Sequence, residues 1–185
     1  KWEHTFELPK YGQNAQPIDY SNLTVVEDPV PAGFTPVVSG TYLTGFTVYN
    51  GYSASGSVTL TGSKSLTGRP LVAGAFTFQV LDGTTVIATG TNDAEGEISF
   101  TPINYNQDQM GTHTYTIVEV AGTESGMTYS TVIYKAVVTV MDKGGGVLDV
   151  STVYYQVIGG NDVKVDAVIF NNSYAASGSI ALEVD

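Results

Sequence analysis

The chain has 185 residues, of which 18 are acidic and 7 basic, so its formal net charge is −11. A surface this acidic repels phosphate backbones, which argues against nucleic-acid binding. The absence of cysteine excludes disulfides, thiolate metal sites and cysteine-based catalysis. No stretch has the pattern of a signal peptide or of a membrane-inserting segment.

Short strand-like runs bounded by Gly, Asn, Asp and Pro follow one another through the sequence, and no window shows a helical period. The clearest runs, in chain order, are Ser57–Thr61, Phe76–Leu81, Thr84–Thr89, Glu97–Thr101, Thr112–Val120, Thr128–Met141, Gly146–Val157 and Lys164–Tyr174. Many short strands joined by turns are typical of a sandwich. We therefore predict an all-β fold of Ig-like antiparallel β-sandwich modules.

Two internal repeats divide the chain. Asn50–Val58 recurs 122 residues later as Asn172–Ile180, and Leu23–Glu27 recurs 92 residues later as Tyr115–Glu119. Unequal offsets indicate related modules whose inner segments differ in length.

The repeats predict modules in tandem. We expect residues 1–52 to be the C-terminal part of one β-sandwich module and residues 53–174 to be a complete one. Residues 175–185 would be the first strand of a following module or a linker, as in a chain cut from a longer array.

Three polar residues fall in the apolar phase of predicted strands, where alternate side chains share a face. Lys64 is in phase with Leu60. Glu119 is in phase with the apolar residues of its own strand, and Asn172 is in phase with Phe170. Each of them alone is explained as well by a solvated strand end or a snorkelling side chain. Their shared phase predicts that an amine, a carboxyl and a carboxamide meet in one core.

If they are buried together, these three groups can react with one another. Desolvation lowers the pKa of the Lys64 amine, and the neutral amine is a nucleophile. A glutamate kept protonated by the same surroundings would donate a hydrogen bond to the Asn172 carboxamide oxygen. We expect attack of Lys64 on the Asn172 side chain, promoted by Glu119, to expel ammonia and leave an isopeptide bond.

Other polar features predict no further site. His4 and His113 are isolated, without the paired spacing of metal ligands, so we predict no metal and no cofactor. The acidic turn at Asn92–Glu97 lacks the spaced ligands and closing glutamate of a calcium loop, and we interpret it as a hairpin turn.

Five motifs occur in order between Gly56 and Tyr174. They are Lys64–Leu71, Gly74–Leu81, Thr91–Gly96, Gly111–Glu119 and Val168–Tyr174. With them the segment resembles the isopeptide-linkage domain of streptococcal-type major pilins and Gram-positive adhesins. By position, the resemblance implies a bond between Lys64 and Asn172 with Glu119 as its promoter. Asn171 competes for the last place, but it falls on the opposite face of its strand.

Residues 1–52 contain a second set of motifs. These are Leu8–Tyr11, Leu23–Glu27, Val30–Phe34 and Phe46–Asn50. The segment resembles the C-terminal half of a collagen-adhesin B-type module, in which Glu27 and Asn50 would be bond partners. Because the leading lysine strand is missing, we expect an incomplete site with Asn50 unlinked within this chain.

The resemblances imply a structural stalk module of a Gram-positive cell-surface adhesin or pilus-like protein. They imply an extracellular, cell-wall-anchored location, with the anchor outside this segment, and neighbouring modules as partners. The alternative is a ligand-binding adhesin domain that contacts a host matrix protein or glycan. A sortase-joined pilin subunit ranks third, and a turnover enzyme last, since Glu119 would act once, on its own chain.

Overall fold

The structure is a computed structural model that describes residues 3–178. The predicted all-β class is confirmed: within that range the helical structure is a single turn of 3-10 helix at Gln107–Gln109. No described helix combines the length and the apolarity needed to cross a membrane. The chain divides into two compact units, Lys1–Ser53 and Ala54–Asp185, here called unit 1 and unit 2.

Unit 1 is built on one antiparallel hairpin. Its strands are β1, Phe34–Thr41, and β2, Gly45–Tyr52. None of the residues from 3 to 53 is fully buried, so this unit has no closed core of its own.

The described part of unit 2, residues 54–178, holds twelve strands. They are β3 (Ser55–Val58), β4 (Thr61–Thr67), β5 (Thr77–Asp82), β6 (Thr85–Asn92), β7 (Glu97–Phe100), β8 (Ile103–Asn106), β9 (Gly111–Glu119), β10 (Met127–Thr128), β11 (Tyr134–Gly144), β12 (Val147–Ile158), β13 (Asn161–Val165) and β14 (Ile169–Tyr174). Hydrogen bonds connect them in the order β10-β14-β4-β7-β6-β5-β9-β11-β12-β3-β8, with β13 beside β12.

This path folds over on itself. The rings of Phe78 on β5 and Phe170 on β14 lie 5.0 Å apart, although three strands separate β5 from β14 along the path. Tyr134 on β11 also contacts Phe170, with ring centroids 5.4 Å apart. The two halves of the path therefore face each other across one core, as the layers of a sandwich do.

The pairing of β4 with β14 is parallel, whereas the other strand pairs are antiparallel except for one short contact between β12 and β3. These two pairs depart from the antiparallel pairing that the sequence predicts. The parallel pair arises because β4 lies near the start of the unit and β14 near its end, and both run in the same direction along one edge.

Several predicted strands are interrupted in the structure. The run from Ser57 breaks at residues 59–60, so that β3 pairs with β8 and β12 while β4 pairs with β7 and β14. The predicted strands Thr128–Met141 and Lys164–Tyr174 are also each divided in two. A strand that passes from one layer of a sandwich to the other has to break its ladder, and apolar periodicity does not reveal this.

Candidate functional site

Lys64, Glu119 and Asn172 meet in the core of unit 2. They lie on β4, β9 and β14, and their exposed fractions are 4%, 8% and 4%. With Asn92, they make up the buried polar and charged residues of the described chain. The structure thus brings together the three residues that the sequence analysis singled out.

Glu119 bridges the other two side chains. Lys64 Nζ donates to Glu119 Oε2 at 2.9 Å, and Asn172 Nδ2 donates to Glu119 Oε1 at 2.5 Å. Each carboxylate oxygen therefore holds one nitrogen, one belonging to an amine and the other to a carboxamide. Both nitrogens lie within the reach that proton transfer requires.

The carboxamide oxygen of Asn172 points away from Glu119. It accepts a hydrogen bond from the backbone N–H of Ser130 at 2.7 Å. Because a backbone N–H can only donate, this contact fixes which end of the carboxamide faces the carboxylate. The predicted hydrogen bond from Glu119 to this oxygen is therefore wrong: the Ser130 N–H donates to the oxygen, and Glu119 accepts from the Asn172 nitrogen.

The surroundings of Lys64 favour a neutral amine. Burial lowers the pKa of Lys64, and the hydrogen bond and charge of Glu119 oppose part of that shift. Lys64 Nζ also lies 4.4 Å from the centre of the Phe76 ring. The ring covers the nitrogen with apolar surface, which keeps water away from it.

Strand pairing positions Lys64 and Asn172 relative to each other. On the parallel ladder of β4 and β14, Lys64 is opposite Phe170 and Leu66 is opposite Asn172. Lys64 and Asn172 are thus offset by two residues and share an inward face, as strand alternation requires.

A tight turn supports the backbone of the lysine strand. Lys64 N donates to Gly96 O at 2.7 Å. Gly96 has a φ of 92°, and a Cβ at this position would lie 2.2 Å from Lys64 O. Only glycine adopts this conformation while approaching so closely.

Asn171 lies outside the site. Its side chain is exposed and accepts a hydrogen bond from Ser65 Oγ at 2.5 Å, on the outer face of the β4–β14 pair. The phase argument thus distinguishes two adjacent asparagines.

Glu27 and Asn50 are also in contact, within unit 1. Asn50 Nδ2 donates to Glu27 Oε1 at 3.2 Å. The pair repeats the Glu119–Asn172 contact of unit 2, and the described part of unit 1 places no lysine beside it.

Sequence reasoning missed three residues of the site: Ser130, Phe76 and Asn92. Asn92 accepts from Phe76 N at 2.9 Å and donates to the carbonyl oxygens of Val72 and Asp93, so it holds the segment that carries the Phe76 ring. The sequence predicts the turn that Asn92 begins only as a hairpin turn, without a role in the site. Nothing in the sequence indicates that the Ser130 N–H points into the core.

No group of metal-ligating side chains occurs among residues 3–178. The His113 ring packs against two tyrosines: it lies 5.3 Å from the tilted ring of Tyr105 and 6.0 Å from the stacked ring of Tyr115. Its Nε2 lies 2.7 Å from Gln109 O.

Comparison with known proteins gives one family and a set of solved structures. The model of the family described as FctA, Spy0128-like isopeptide containing domain, matches residues 60–175. No curated protein matches the chain.

Two of the solved structures are major pilins from Streptococcus pyogenes. One is 17% identical over 64% of this chain and 50% of the pilin, with a TM-score of 0.37. The other is 19% identical over 66% of this chain and 53% of the pilin, with a TM-score of 0.40. The chain spans about half the length of the pilin structures it matches.

Proposed function

Because the chain belongs to the Spy0128-like isopeptide-containing domain family, we propose that it is a structural stalk segment in which Lys64 and Asn172 form an autocatalytic isopeptide bond. The observation that carries the proposal is the buried bridge by which Glu119 holds the amine of Lys64 and the carboxamide of Asn172. In this proposal, residues 53–174 form the cross-linked module. Residues 1–52 belong to a preceding module, and residues 175–185 lead into a following one.

The reaction starts with proton transfer from Lys64 to Glu119. The carboxylate accepts a proton from Nζ through Oε2, and this leaves a neutral amine whose lone pair attacks Cγ of Asn172. The pKa of the amine, already lowered by burial, favours this transfer. Because the fold holds both groups in place, their orientation lowers the activation free energy by roughly 7–11 kcal/mol.

Charge then develops on the Asn172 oxygen as the tetrahedral intermediate forms. The Ser130 N–H already donates to that oxygen, so it stabilises the negative charge without reorganisation. The Nζ–Cγ bond forms and the Cγ–Nδ2 bond breaks.

Glu119 both accepts protons from the amine and delivers one to the leaving nitrogen. Nζ loses two protons on becoming an amide nitrogen. One passes through the carboxyl group to Nδ2, which leaves as ammonia, and the other stays on Glu119. The net reaction of one ammonium, one carboxylate and one carboxamide gives one amide, one ammonia and one carboxylic acid. Glu119 therefore acts once, and the chain is not a turnover enzyme.

The bond would carry mechanical load. Lys64 lies near the entry of unit 2 and Asn172 near its exit, on adjacent parallel strands. A force between the two ends would pass through the covalent bond and bypass the chain between residues 64 and 172. Unlike a disulfide, an amide is not broken by reducing agents.

This role places the segment in a Gram-positive surface protein, outside the cell and anchored to the wall through other parts of the protein. The match of residues 60–175 to an isopeptide-containing domain supports this role. The partners that we propose are the neighbouring modules.

Intact-mass spectrometry of the folded protein tests the proposal. We expect a deficit of one ammonia, and peptide mapping should join Lys64 to Asn172. Lys64→Ala and Asn172→Ala should restore the full mass, whereas Asn171→Ala, at the adjacent exposed asparagine, should keep the deficit. An unmodified mass from well-folded protein would overturn the proposed bond.

A further inference from the structure

The three groups of the proposed reaction come from opposite layers of the sandwich. Lys64 and Asn172 lie on the paired strands β4 and β14, and Glu119 lies on β9. The hydrogen-bonded path from β14 to β9 runs through β4, β7, β6 and β5, so the described strands form no direct ladder between β14 and β9. The distance from Asn172 to Glu119 therefore depends on contacts that cross the core.

Tyr134 makes such a contact. It begins β11, pairs with Ile117 on the neighbouring β9, and is 4% exposed. Its hydroxyl donates to Ile169 O, at the start of β14, at 2.8 Å. Glu119 is two residues from Ile117, and Asn172 is three residues from Ile169. One hydroxyl group thus connects the strand of Asn172 to the layer that carries Glu119.

The carbonyl that Tyr134 binds faces away from the β4–β14 ladder. Val168 O accepts from Ser63 N at 2.8 Å, and successive carbonyls of an extended strand point to opposite sides, so Ile169 O points away from β4. β10 lies on that side of β14, but it pairs with β14 only at the last two residues of the strand. The Tyr134 hydroxyl therefore takes the place of a ladder donor, at a part-buried position where an acceptor without a partner is unfavourable.

The ring of Tyr134 packs against the same segment. It meets Phe170 edge-on, with centroids 5.4 Å apart and an interplanar angle of 80°. Phe170 is opposite Lys64 on the parallel ladder and shares the inward face of β14 with Asn172. Apolar packing is non-directional, whereas a hydrogen bond weakens steeply as its angle changes. The hydroxyl contact therefore restricts sliding of β14 against β11 in a way that the ring contact does not.

We propose that the Tyr134 hydroxyl is a positioning group for the Lys64–Asn172 reaction, and this inference rests on that proposed reaction. The hydroxyl fixes β14 against the layer of β9 and thereby holds the Asn172 carboxamide within proton-transfer reach of Glu119. It acts through the backbone of Ile169 and exchanges no proton with the reacting groups. Because a misplacement of about 1 Å can cost roughly 10²-fold in rate, loss of the hydroxyl should slow bond formation without preventing it.

Two tyrosine variants test the proposal on the full chain. Tyr134→Phe removes the hydroxyl and keeps the ring. Tyr105→Phe is the matched control, because its hydroxyl also donates to one buried partner, the Tyr115 hydroxyl at 3.1 Å, and β8 carries none of the reacting groups. Intact mass follows the loss of ammonia after refolding from denaturant. We expect Tyr134→Phe to react roughly 10- to 100-fold more slowly than the parent chain and Tyr105→Phe to keep the parent rate.

Restoring a donor distinguishes positioning from a general loss of stability. 4-Aminophenylalanine at position 134 supplies an N–H donor and should restore most of the rate. 4-Fluorophenylalanine fills the same space without a donor, so it should react as slowly as Tyr134→Phe. This second pair also gives the comparison if Tyr134→Phe does not fold. Urea unfolding in an Asn172→Ala background, which cannot cross-link, measures the stability of each variant separately from its rate.

The outcomes separate this inference from the proposed bond. If the parent chain loses one ammonia and Tyr134→Phe loses it at the same rate, the bond stands and the positioning role is wrong. Equal slowing in Tyr134→Phe and Tyr105→Phe, or no recovery with 4-aminophenylalanine, would also contradict the positioning role. If the well-folded parent chain keeps its ammonia, the proposed bond is wrong and the positioning role fails with it.

Discussion

Lys64 Nζ lies 2.9 Å from Glu119 Oε2, and neither side chain has any solvent-exposed surface. A buried ion pair is weak evidence for stability, because the desolvation of two charges offsets their attraction. The third polar group, Asn172, adds a further cost of burial that an apolar core would avoid. The cluster is therefore better explained by a reaction between its members than by the stability of the ion pair.

Glu119→Gln should give a folded chain that keeps its ammonia. Glutamine has nearly the same shape, but its one oxygen can accept from only one of the two donors that Glu119 holds, and it cannot accept the proton that Lys64 must lose. Intact mass and circular dichroism measure the two properties separately. Glu124→Gln is the matched control, since Glu124 pairs with Arg69 at the surface and should leave the cross-link intact. Complete ammonia loss in Glu119→Gln would contradict the proton-relay role.

The cross-link should account for a large part of the stability of unit 2. The double variant Lys64→Met/Glu119→Leu removes the bond and leaves no unpaired buried charge. Because the bond closes a loop of roughly 100 residues, we expect the free energy of unfolding to fall by about 4–5 kcal/mol, using the entropy estimate for disulfides. Urea unfolding measures the change.

A surface pair provides the control for this stability change. Lys135→Met breaks the ion pair with Asp162, and we expect a change of about 1 kcal/mol or less. If the double variant unfolds at the same urea concentration as the parent chain, the bond does not contribute as proposed.

Strand phase was enough to predict the three polar side chains that are buried together. Lys64, Glu119 and Asn172 each stand where alternation places an apolar residue, and the structure buries all three. The same rule separated Asn172 from the exposed Asn171. The alternation of inward and outward side chains continues across the interrupted strand, because the break at residues 59–60 is two residues long.

Periodicity could not reveal where strands change layers or which backbone groups enter the core. The segment between β10 and β11 leaves the ladder, and this frees the Ser130 N–H to reach Asn172. Every residue but proline has such an N–H, so nothing in the sequence distinguishes this one. The role of Asn92 was missed for a related reason, since its partners are mostly backbone atoms brought close by the turn.

Removing the Ser130 N–H should slow bond formation. Loss of one donor to a developing oxyanion typically costs about 10²–10³-fold in rate. An ester linkage in place of the Tyr129–Ser130 amide removes the N–H with little change of shape, and Ser130→Ala is the control that retains it. The time course of ammonia loss after refolding from denaturant gives the rate. Equal rates for the ester and the alanine variant would exclude the oxyanion role.

Asn92→Ala should also slow bond formation, through Phe76. The substitution breaks the hydrogen bond to Phe76 N and those to two carbonyl oxygens, so the ring over Lys64 Nζ loses its support. We expect slower ammonia loss on refolding and, in an Asn172→Ala background that cannot cross-link, a stability loss of about 1–3 kcal/mol. Asn104→Ala, at an exposed position of β8, is the control. An unchanged rate in Asn92→Ala, despite the loss of stability, would confine Asn92 to a structural role.

The lowered pKa of Lys64 should make the stability of the unlinked protein depend on pH. Asn172→Ala keeps the amine free, and burial holds its pKa in the folded state below 10.5. Between the lowered pKa and 10.5 the unfolded chain binds more protons, so the free energy of unfolding should rise as the pH rises through this window. Below the lowered pKa both states are protonated, and this contribution should become independent of pH.

Other groups titrate in the same range, so the measurement is a difference between two variants. Glu119→Leu/Asn172→Ala keeps the buried amine, and Lys64→Met/Glu119→Leu/Asn172→Ala lacks it while every other titrating side chain is the same. The difference in unfolding free energy between these two variants should move in favour of the one that keeps the amine as the pH rises toward 10.5. A difference that stays constant or moves the other way would mean that Lys64 is not held in a desolvating site.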